Sequence, residues 1–347
     1  MRSPALSVLV ILAVTLTVAA GELVWTALPD LPSELGVAGP YVGIHNGTLL
    51  VAGGANFPRP VWENEKIWHD TVYALPLGEG SPEWSAVGVL PRPLGYGTTV
   101  SVPEGLICIG GNDAEKVYAD VFLLSLREGK VETVTLPSLP TALCYASSTM
   151  IGDSIYVAGG QTGSGLETAT TTCLRLDWSK KDRPEELVWE PVSSWPGGPI
   201  AFGSLVSDSE SLYLLGGRNL DASGEVEFLA GMYRFLPDSG WEKKANLPKP
   251  MAAGTASWLG NGKIVVPAGA DGSLFARSDE LKDDHPGFPK TVLWYDPGTD
   301  SWSEGGEAPQ NQVTTEAKAW NDGFLIASGE VRPRVRTPKV WMVSPKK

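Results

Sequence analysis

Along this chain the apolar positions come in short bursts, and six of those bursts run into a turn of small residues. Leu50-Val51-Ala52 meets Gly53-Gly54, Ile107-Cys108-Ile109 meets Gly110-Gly111, Tyr156-Val157-Ala158 meets Gly159-Gly160, and Tyr213-Leu214-Leu215 meets Gly216-Gly217. Val265-Val266-Pro267 meets Ala268-Gly269, and Phe324-Leu325-Ile326-Ala327 meets Ser328-Gly329-Glu330. A burst this short, closed by glycine, fits a strand buried on both faces better than a helix. A stretch of small residues precedes most of them, as in Gly95-Tyr96-Gly97-Thr98, Cys144-Tyr145-Ala146-Ser147, Ala201-Phe202-Gly203-Ser204 and Ala252-Ala253-Gly254-Thr255. An alternating stretch follows, such as Thr71 to Leu75, Asp120 to Leu124, Gly231 to Phe235 and Thr291 to Tyr295. A fourth stretch usually carries a tryptophan and closes on proline: Trp84 to Pro91, Trp189 to Pro196, Trp241 to Pro248 and Trp302 to Pro309. The second unit has Val131 to Pro140 there, without tryptophan.

Four strands recurring every 49 to 60 residues is the period of a kelch-type β-propeller blade. A blade cannot bury both faces alone, so neighbours stack in a ring. The sixth unit begins at Val313 and ends on its third strand, Lys339 to Val343, whereas Val24 to Pro32 near the other end is an unmatched fourth strand. The expected fold is therefore all-β: a single six-bladed propeller whose N-terminal strand completes the last blade, with no open edge between first and last blades.

Composition narrows the function. The chain has 347 residues, 42% of them hydrophobic, with 40 glycines, 28 prolines and 13 tryptophans, as many short strands and tight turns require. A formal charge of −13 argues against a nucleic-acid or anionic-membrane surface. Cys108, Cys144 and Cys173 lie in strand-like segments without metal spacing, and an odd count gives no full disulfide framework, so buried free thiols are expected. Arg2, the apolar run Leu6 to Ala19 and the small residues Val18-Ala19-Ala20 have the form of a signal peptide over residues 1–20. The run is short for a membrane span of about 20 residues. The propeller, residues 21–347, is then periplasmic or secreted, and free of the membrane once the segment is cleaved. An uncleaved anchor is the other reading.

The chemistry gathers where the repeat departs from its rule. The sixth copy reads as one whose second glycine is replaced by Glu330, with Arg332, Arg334 and Arg336 close behind. A carboxylate among arginines suits a base that must stay ionised, and equally an ion pair that fixes a loop. Other candidates follow the earlier doublets: Asn56 and Phe57, Asn112, Gln161, Arg218 and Asn219, and Asp271. Polar residues around a channel mouth suit sugar hydroxyls, although Asn and Asp also stabilise turns. The loop from Asn56 to Asp70 carries Trp62, Lys66, Trp68 and His69, a set that suits a lid or a sugar-stacking surface. His69 is a candidate general acid or an ordinary loop histidine.

The run Gly329-Glu330-Val331-Arg332-Pro333-Arg334-Val335-Arg336-Thr337 resembles the pattern Gly-Glu-x-Lys/Arg-Pro-x-x-Arg-Thr of the N-acetylneuraminate epimerase family, the sialic-acid mutarotases. The resemblance implies an isomerase that interconverts the α and β anomers of N-acetylneuraminate or a related sialic acid. It implies Glu330 as proton acceptor and Arg336 as an active-site residue, and no metal or other cofactor. In the better-known epimerase the motif lies well inside the chain. Its position here, near the C-terminus, is similar to the cyclically permuted mutarotase subgroup. On this reading Arg332, Asn56, Asn112, Arg218 and His69 are candidates to bind substrate, and Arg336 offers the sugar carboxylate a bidentate partner.

Rival functions fare differently. Three scattered histidines do not supply the paired ligands of a kelch-type copper oxidase. Neither a repeated Asp-box nor a clear arginine triad marks a sialidase. A non-catalytic propeller that binds glycans or proteins remains the alternative, since a fold alone does not give a function.

Overall fold

The computed structural model describes residues 22–78, 80 and 82–346. The signal-peptide reading falls outside those residues. Six four-stranded antiparallel sheets form the blades, each ordered from an inner strand at the channel to an outer one. In blade 1 the strands are Tyr41–His45, Thr48–Ala52, Thr71–Pro76 and Ser85–Val89. Blades 2 to 5 repeat the order, starting at Thr98, Ser147, Ser204 and Ala252. Blade 6 takes Ala317–Trp320, Gly323–Ala327 and Val340–Pro345 from the C-terminal end, and its outer strand Leu23–Leu28 from the N-terminal end. That closing pair runs antiparallel, with Leu23 opposite Pro345 and Leu28 opposite Val340.

Why the second strand of each blade is apolar throughout follows from its neighbours. Successive side chains point to opposite faces, and both faces are covered. Leu50 and Ala52 pack with Leu106 and Cys108 toward blade 2, while Leu49 and Val51 pack with Leu325 and Val340 toward blade 6. The core is accordingly divided into wedges, one between every adjacent pair of blades. The three cysteines are buried free thiols, Cys108 and Cys173 within these wedges, and burial raises all three pKa values, to about 12 for Cys144 and Cys173.

The fourth-strand tryptophans fasten the rim. The indole N–H of Trp84 donates to Pro29 O at 2.8 Å, Trp189 to Pro137 O at 3.0 Å, Trp241 to Ser193 O at 2.7 Å and Trp302 to Ala245 O at 2.9 Å. In each case the acceptor belongs to the outer segment of the preceding blade. The repeated tryptophan is thus a blade-to-blade connector with an apolar body and a polar tip.

At the axis a second set of bonds runs all the way round. The N–H of Tyr96 donates to Gly39 O, Tyr145 to Tyr96 O, Phe202 to Tyr145 O, Ala253 to Phe202 O, Thr314 to Ala253 O and Gly39 to Thr314 O, at 2.6–2.9 Å. All six residues hold φ between +52° and +63°. Five of the six are not glycine, and a left-handed backbone costs such residues on the order of 1 kcal/mol or more each. The closed ring of buried hydrogen bonds offsets that strain.

The glycine doublets sit just outside this ring, and here the sixth copy departs from the sequence reading. The first doublet position has φ of +63° at Gly53, +61° at Gly110, +69° at Gly159, +65° at Gly216 and +59° at Ser328. The second has +85° at Gly54 and +113° at Gly329. The doublet of blade 6 is therefore Ser328-Gly329, and it is the first glycine that is replaced. Glu330 occupies the next position, equivalent to Ala55, Asn112, Gln161 and Arg218. Ser328 is held in the left-handed region by its hydroxyl, which accepts from Val37 N–H at 2.8 Å and lies 2.8 Å from Thr337 O. In blade 5 the doublet Ala268-Gly269 stays within the strand Ile264–Ala270, where the pairing register shifts.

Removal of residues 22–32 should strongly destabilise the ring, because it strips blade 6 of its outer strand and Trp84 of its acceptor. Equal melting temperatures for truncated and full mature protein would refute this closure. Ser328→Ala should lower stability by about 1–3 kcal/mol, since a buried Val37 N–H loses its acceptor. Chemical denaturation measures it.

Candidate active site

The segments that follow the doublets gather at one end of the channel and enclose a cavity of ≈ 320 Å³, within the range of small-ligand sites. Its floor is the axial ring itself: the side chains of Tyr96, Tyr145, Phe202, Ala253 and Thr314. Tyr145 stacks on Phe202 with ring centres 4.1 Å apart, and Tyr96 lies 4.9 Å from Tyr145. The same five residues roof a smaller cavity of ≈ 100 Å³ lined further down the channel by Glu316 and Lys318. Glu316 accepts from Thr98 and Thr99 and pairs with Lys318 at 2.9 Å.

The walls come from loops of unequal length. Blade 1 contributes Phe57 and Lys66, and blade 5 an insertion between Ala270 and Thr291 that brings Leu274, Phe275, His285 and Phe288 over the opening. That insertion has short 3-10 turns and one four-residue helix, Ser278–Leu281, which no periodic pattern announced. Blade 4 supplies the two-stranded ribbon Arg218–Leu220 and Val226–Phe228. Phe228 meets Phe275 of the insertion edge-on at 5.4 Å. Blade 6 supplies the ribbon in which Glu330 lies opposite Arg336.

Glu330 and Arg336 do come together. Glu330 Oε1 is 3.3 Å from Arg336 Nη1 and accepts from the backbone N–H of Arg334 at 2.8 Å. Its Oε2 has only the Thr314 hydroxyl nearby, at 3.5 Å. One oxygen is thus anchored and the other is held only loosely, in a residue that lines the cavity. The Arg336 side chain is 4% exposed, and its guanidinium lies over Phe57 at 4.9 Å. Burial works against its charge, but Glu330 and the hydroxyls of Tyr96 and Tyr145 outweigh it and hold its pKa above the ordinary guanidinium value. Arg334 also lines the cavity, stacked 4.2 Å from Phe57 and 5.4 Å from Trp62. Lys66 sits over Tyr96 at 4.8 Å and Trp68 at 5.3 Å.

Arg218 lines the cavity as well, with its guanidinium 4.0 Å from the Phe202 ring. Burial lowers its pKa, while Tyr145 and Glu330 act in the opposite direction. Asn112 does not line the cavity itself but supports its floor, accepting from the Trp68 indole at 3.2 Å and donating to Tyr145 Oη at 3.4 Å. Three further substrate-binding candidates fall elsewhere, and Gln161 and Asn219 do not line the cavity either. Asn56 is buried at the junction of blades, where its amide donates to Gly36 O at 2.8 Å; the blade 1 position equivalent to Arg218 and Glu330 is the buried Ala55. His69 is tied by its backbone to Gly54 and Leu94 and is not among the residues lining the cavity. Arg332 turns outward to pair with Asp283 of the blade 5 insertion at 2.9 Å.

Sequence reasoning missed the floor aromatics, although small-aromatic-small triplets such as Gly95-Tyr96-Gly97 were a readable signal. It also found no partner for His285. This histidine lines the cavity and accepts at Nδ1 from Gly287 N–H at 3.0 Å.

Fold and site together define a six-bladed kelch-type propeller with a carboxylate set among cations over an aromatic floor. Comparison with known proteins narrows this class. Residues 12–133 match the model of the N-acetylneuraminate epimerase family. The N-acetylneuraminate epimerase of Haemophilus influenzae (strain 86-028NP) is 39% identical over 127 residues, 32% of each chain. That of Yersinia pestis (strain Pestoides F) is 40% identical over 107 residues, 26% of each. That of Shigella sonnei (strain Ss046) is 25% identical over 230 residues, 59% of each. The chain thus spans about a third of the length of the first of these relatives. A solved structure titled "Structure of YjhT" superposes with a TM-score of 0.69 at 16% identity, over 92% of this chain and 99% of that one, and so shares the fold. The family match covers blades 1 and 2, which supply Phe57, Lys66 and Tyr96 to the cavity, but not the segment of Glu330 and Arg336.

All three histidines, His45, His69 and His285, have pKa values lowered chiefly by burial. In the unfolded chain they titrate near 6.5. Below that pH the unfolded state takes up protons that the native state refuses, so stability is lost as pH falls toward the lowered native values. Melting temperature should therefore drop between pH 7 and 5, and His69→Gln should flatten part of the slope. A melting temperature independent of pH across this window would contradict it.

Proposed function

We propose that this protein is a mutarotase that interconverts the α and β anomers of N-acetylneuraminate or a closely related sialic acid, acting in the periplasm or outside the cell after loss of residues 1–20. The observation that carries this reading is the charge of the cavity. Four cationic side chains, Lys66, Arg218, Arg334 and Arg336, line it against two carboxylates, Asp271 and Glu330, in a chain of formal charge −13. A pocket of that sign concentrates a small anion that the rest of the surface repels. The similarity to N-acetylneuraminate epimerases and the Glu330–Arg336 motif point to the same substrate. The position of that motif near the C-terminus supports a cyclically permuted order of blades.

The mechanism follows from which oxygen of Glu330 is free. Oε2 takes the proton of the anomeric hydroxyl while the bond from the anomeric carbon to the ring oxygen breaks and the ring oxygen takes a proton. The open-chain ketone rotates and recloses on its other face. Arg336 and the Arg334 N–H hold Oε1 in place, which leaves Oε2 as the proton acceptor. Tyr145 is a donor available on the floor. Burial raises its pKa and keeps it protonated, and its oxygen accepts from Asn112, leaving its own hydrogen to donate. No electron transfer is involved.

Glu330→Gln should slow anomer exchange by about a hundredfold to ten-thousandfold, with sugar affinity and melting temperature little changed, because the amide is nearly isosteric. The readout is NMR of freshly released α-N-acetylneuraminate, with and without protein. A folded Glu330→Gln protein that exchanges anomers at the wild-type rate removes Glu330 from the mechanism. Wild-type protein that binds the sugar yet leaves its spontaneous mutarotation unchanged would identify a lectin-like propeller instead.

A further inference from the structure

The cations around the cavity are not equivalent. Arg336 already faces Glu330 at 3.3 Å, and Arg332 is taken by Asp283. Arg334 lies at the rim against Phe57 and Trp62, with Nη2 3.5 Å from Asn64 O. Lys66 is a point charge held over three rings. Among the cavity arginines Arg218 alone makes neither an ion pair nor a hydrogen bond through its guanidinium to the described residues. Its Nε, like Nε and Nη1 of the Glu330-paired Arg336, is buried without a hydrogen-bond partner. It lies against Phe202 at 4.0 Å, with Phe275 at 5.7 Å and Phe228 at 6.0 Å. An enclosed guanidinium without a counter-ion is costly, and an arriving anion removes that cost. Against an aromatic face it keeps its hydrogen-bonding edge free, and that planar fork matches a carboxylate bidentately.

Its place in the ring supports the same conclusion. Arg218 and Glu330 occupy equivalent positions, immediately after the doublets of blades 4 and 6. The corresponding residue of blade 5 between them is Ala270, whose methyl group leaves the space open. Glu330 is near enough to favour the charged form of Arg218, yet the two form no ion pair. In a sialic acid the carboxylate and the anomeric hydroxyl are both attached to one carbon. A carbon held between Arg218 and Glu330 presents one substituent to each.

We propose that Arg218 receives the substrate carboxylate and thereby selects an acidic sugar over a neutral one, with Arg336 acting as the counter-ion of Glu330. This rests on the mutarotase reading above and alters the assignment of Arg336 as the carboxylate's partner. Calorimetric titration of N-acetylneuraminate and its methyl ester into wild type, Arg218→Gln and Arg218→Lys tests it. Wild type should prefer the acid. Arg218→Gln should lose roughly ten- to a hundredfold in affinity for the acid, with affinity for the ester little changed. Arg218→Lys should recover part of the loss. A folded Arg218→Gln protein that keeps the wild-type preference for the acid overturns the assignment. If that variant does not fold, Arg218→Lys decides, and unchanged affinity for the acid overturns it. Wild type that binds neither compound sinks the mutarotase reading and this assignment with it. Binding without anomer exchange counts against catalysis alone, because the affinities are read directly.

Discussion

The structure depends on the closed ring of six backbone hydrogen bonds at the axis. Each blade gives one donor and one acceptor to it, through a residue forced into the left-handed region. A chain pays that conformational strain only where the bonds are buried and mutually supporting. The ring fixes the distance of every blade from the axis. It also aims five side chains at the channel, Gly39 having none, and in blades 2, 3 and 4 these are Tyr96, Tyr145 and Phe202. The floor of the cavity is therefore a by-product of the constraint that holds the blades together. The polar residues that follow the doublets stand one step further out, at a height set by the same bonds.

Function is placed on this scaffold unevenly. Blades 2 to 4 supply the aromatic floor, whereas blades 5 and 6 put Ala253 and Thr314 there and leave room above it. Glu330 rises beside that open side, and the insertion of blade 5 covers it. The charge distribution has the same asymmetry. Arg336, Arg334 and Arg218 lie within or against aromatic groups, where a guanidinium is less hydrated than an ammonium and tolerates partial burial. Arg332, two residues from Glu330, is spent on holding the insertion through Asp283.

Much of the fold was legible because its signals are local. Continuous apolar bursts that end on small-residue doublets, alternating stretches after them and, in most units, a tryptophan before the closing proline identify strands without tertiary knowledge, and the two incomplete ends identify the closure. The site was legible only where charge was concentrated. Glu330 and Arg336 stood out, but the doublet was misplaced by one residue because Ser328 adopts a backbone that glycine usually takes, supported by a hydroxyl bonded to Val37, distant in sequence, and to Thr337 of its own blade. Asn56 was chosen in place of Ala55 for a related reason: residue type marks a turn, not which turn residue is equivalent to Glu330. Arg332 and Arg336 look alike in sequence. The short ribbon of Glu330–Arg332 and Val335–Arg336, with its shifted register, sends one outward and the other against Phe57.

The pairing of Leu23–Leu28 with Val340–Pro345 also bears on how the molecule is made. Every other strand pairs with a neighbour from its own unit, so five blades can be assembled from local contacts in the order in which the chain appears. The sixth joins residues separated by nearly the whole sequence, and its pairing waits for the last strand to emerge. Loop-closure entropy grows only slowly with length, so the equilibrium cost of so distant a contact is modest. The rate is affected more, since non-local pairing slows folding. Until the ends meet, blade 1 and the unfinished blade 6 both present an uncovered apolar face. That interval, rather than the finished ring, is when the protein is most exposed to aggregation and proteolysis.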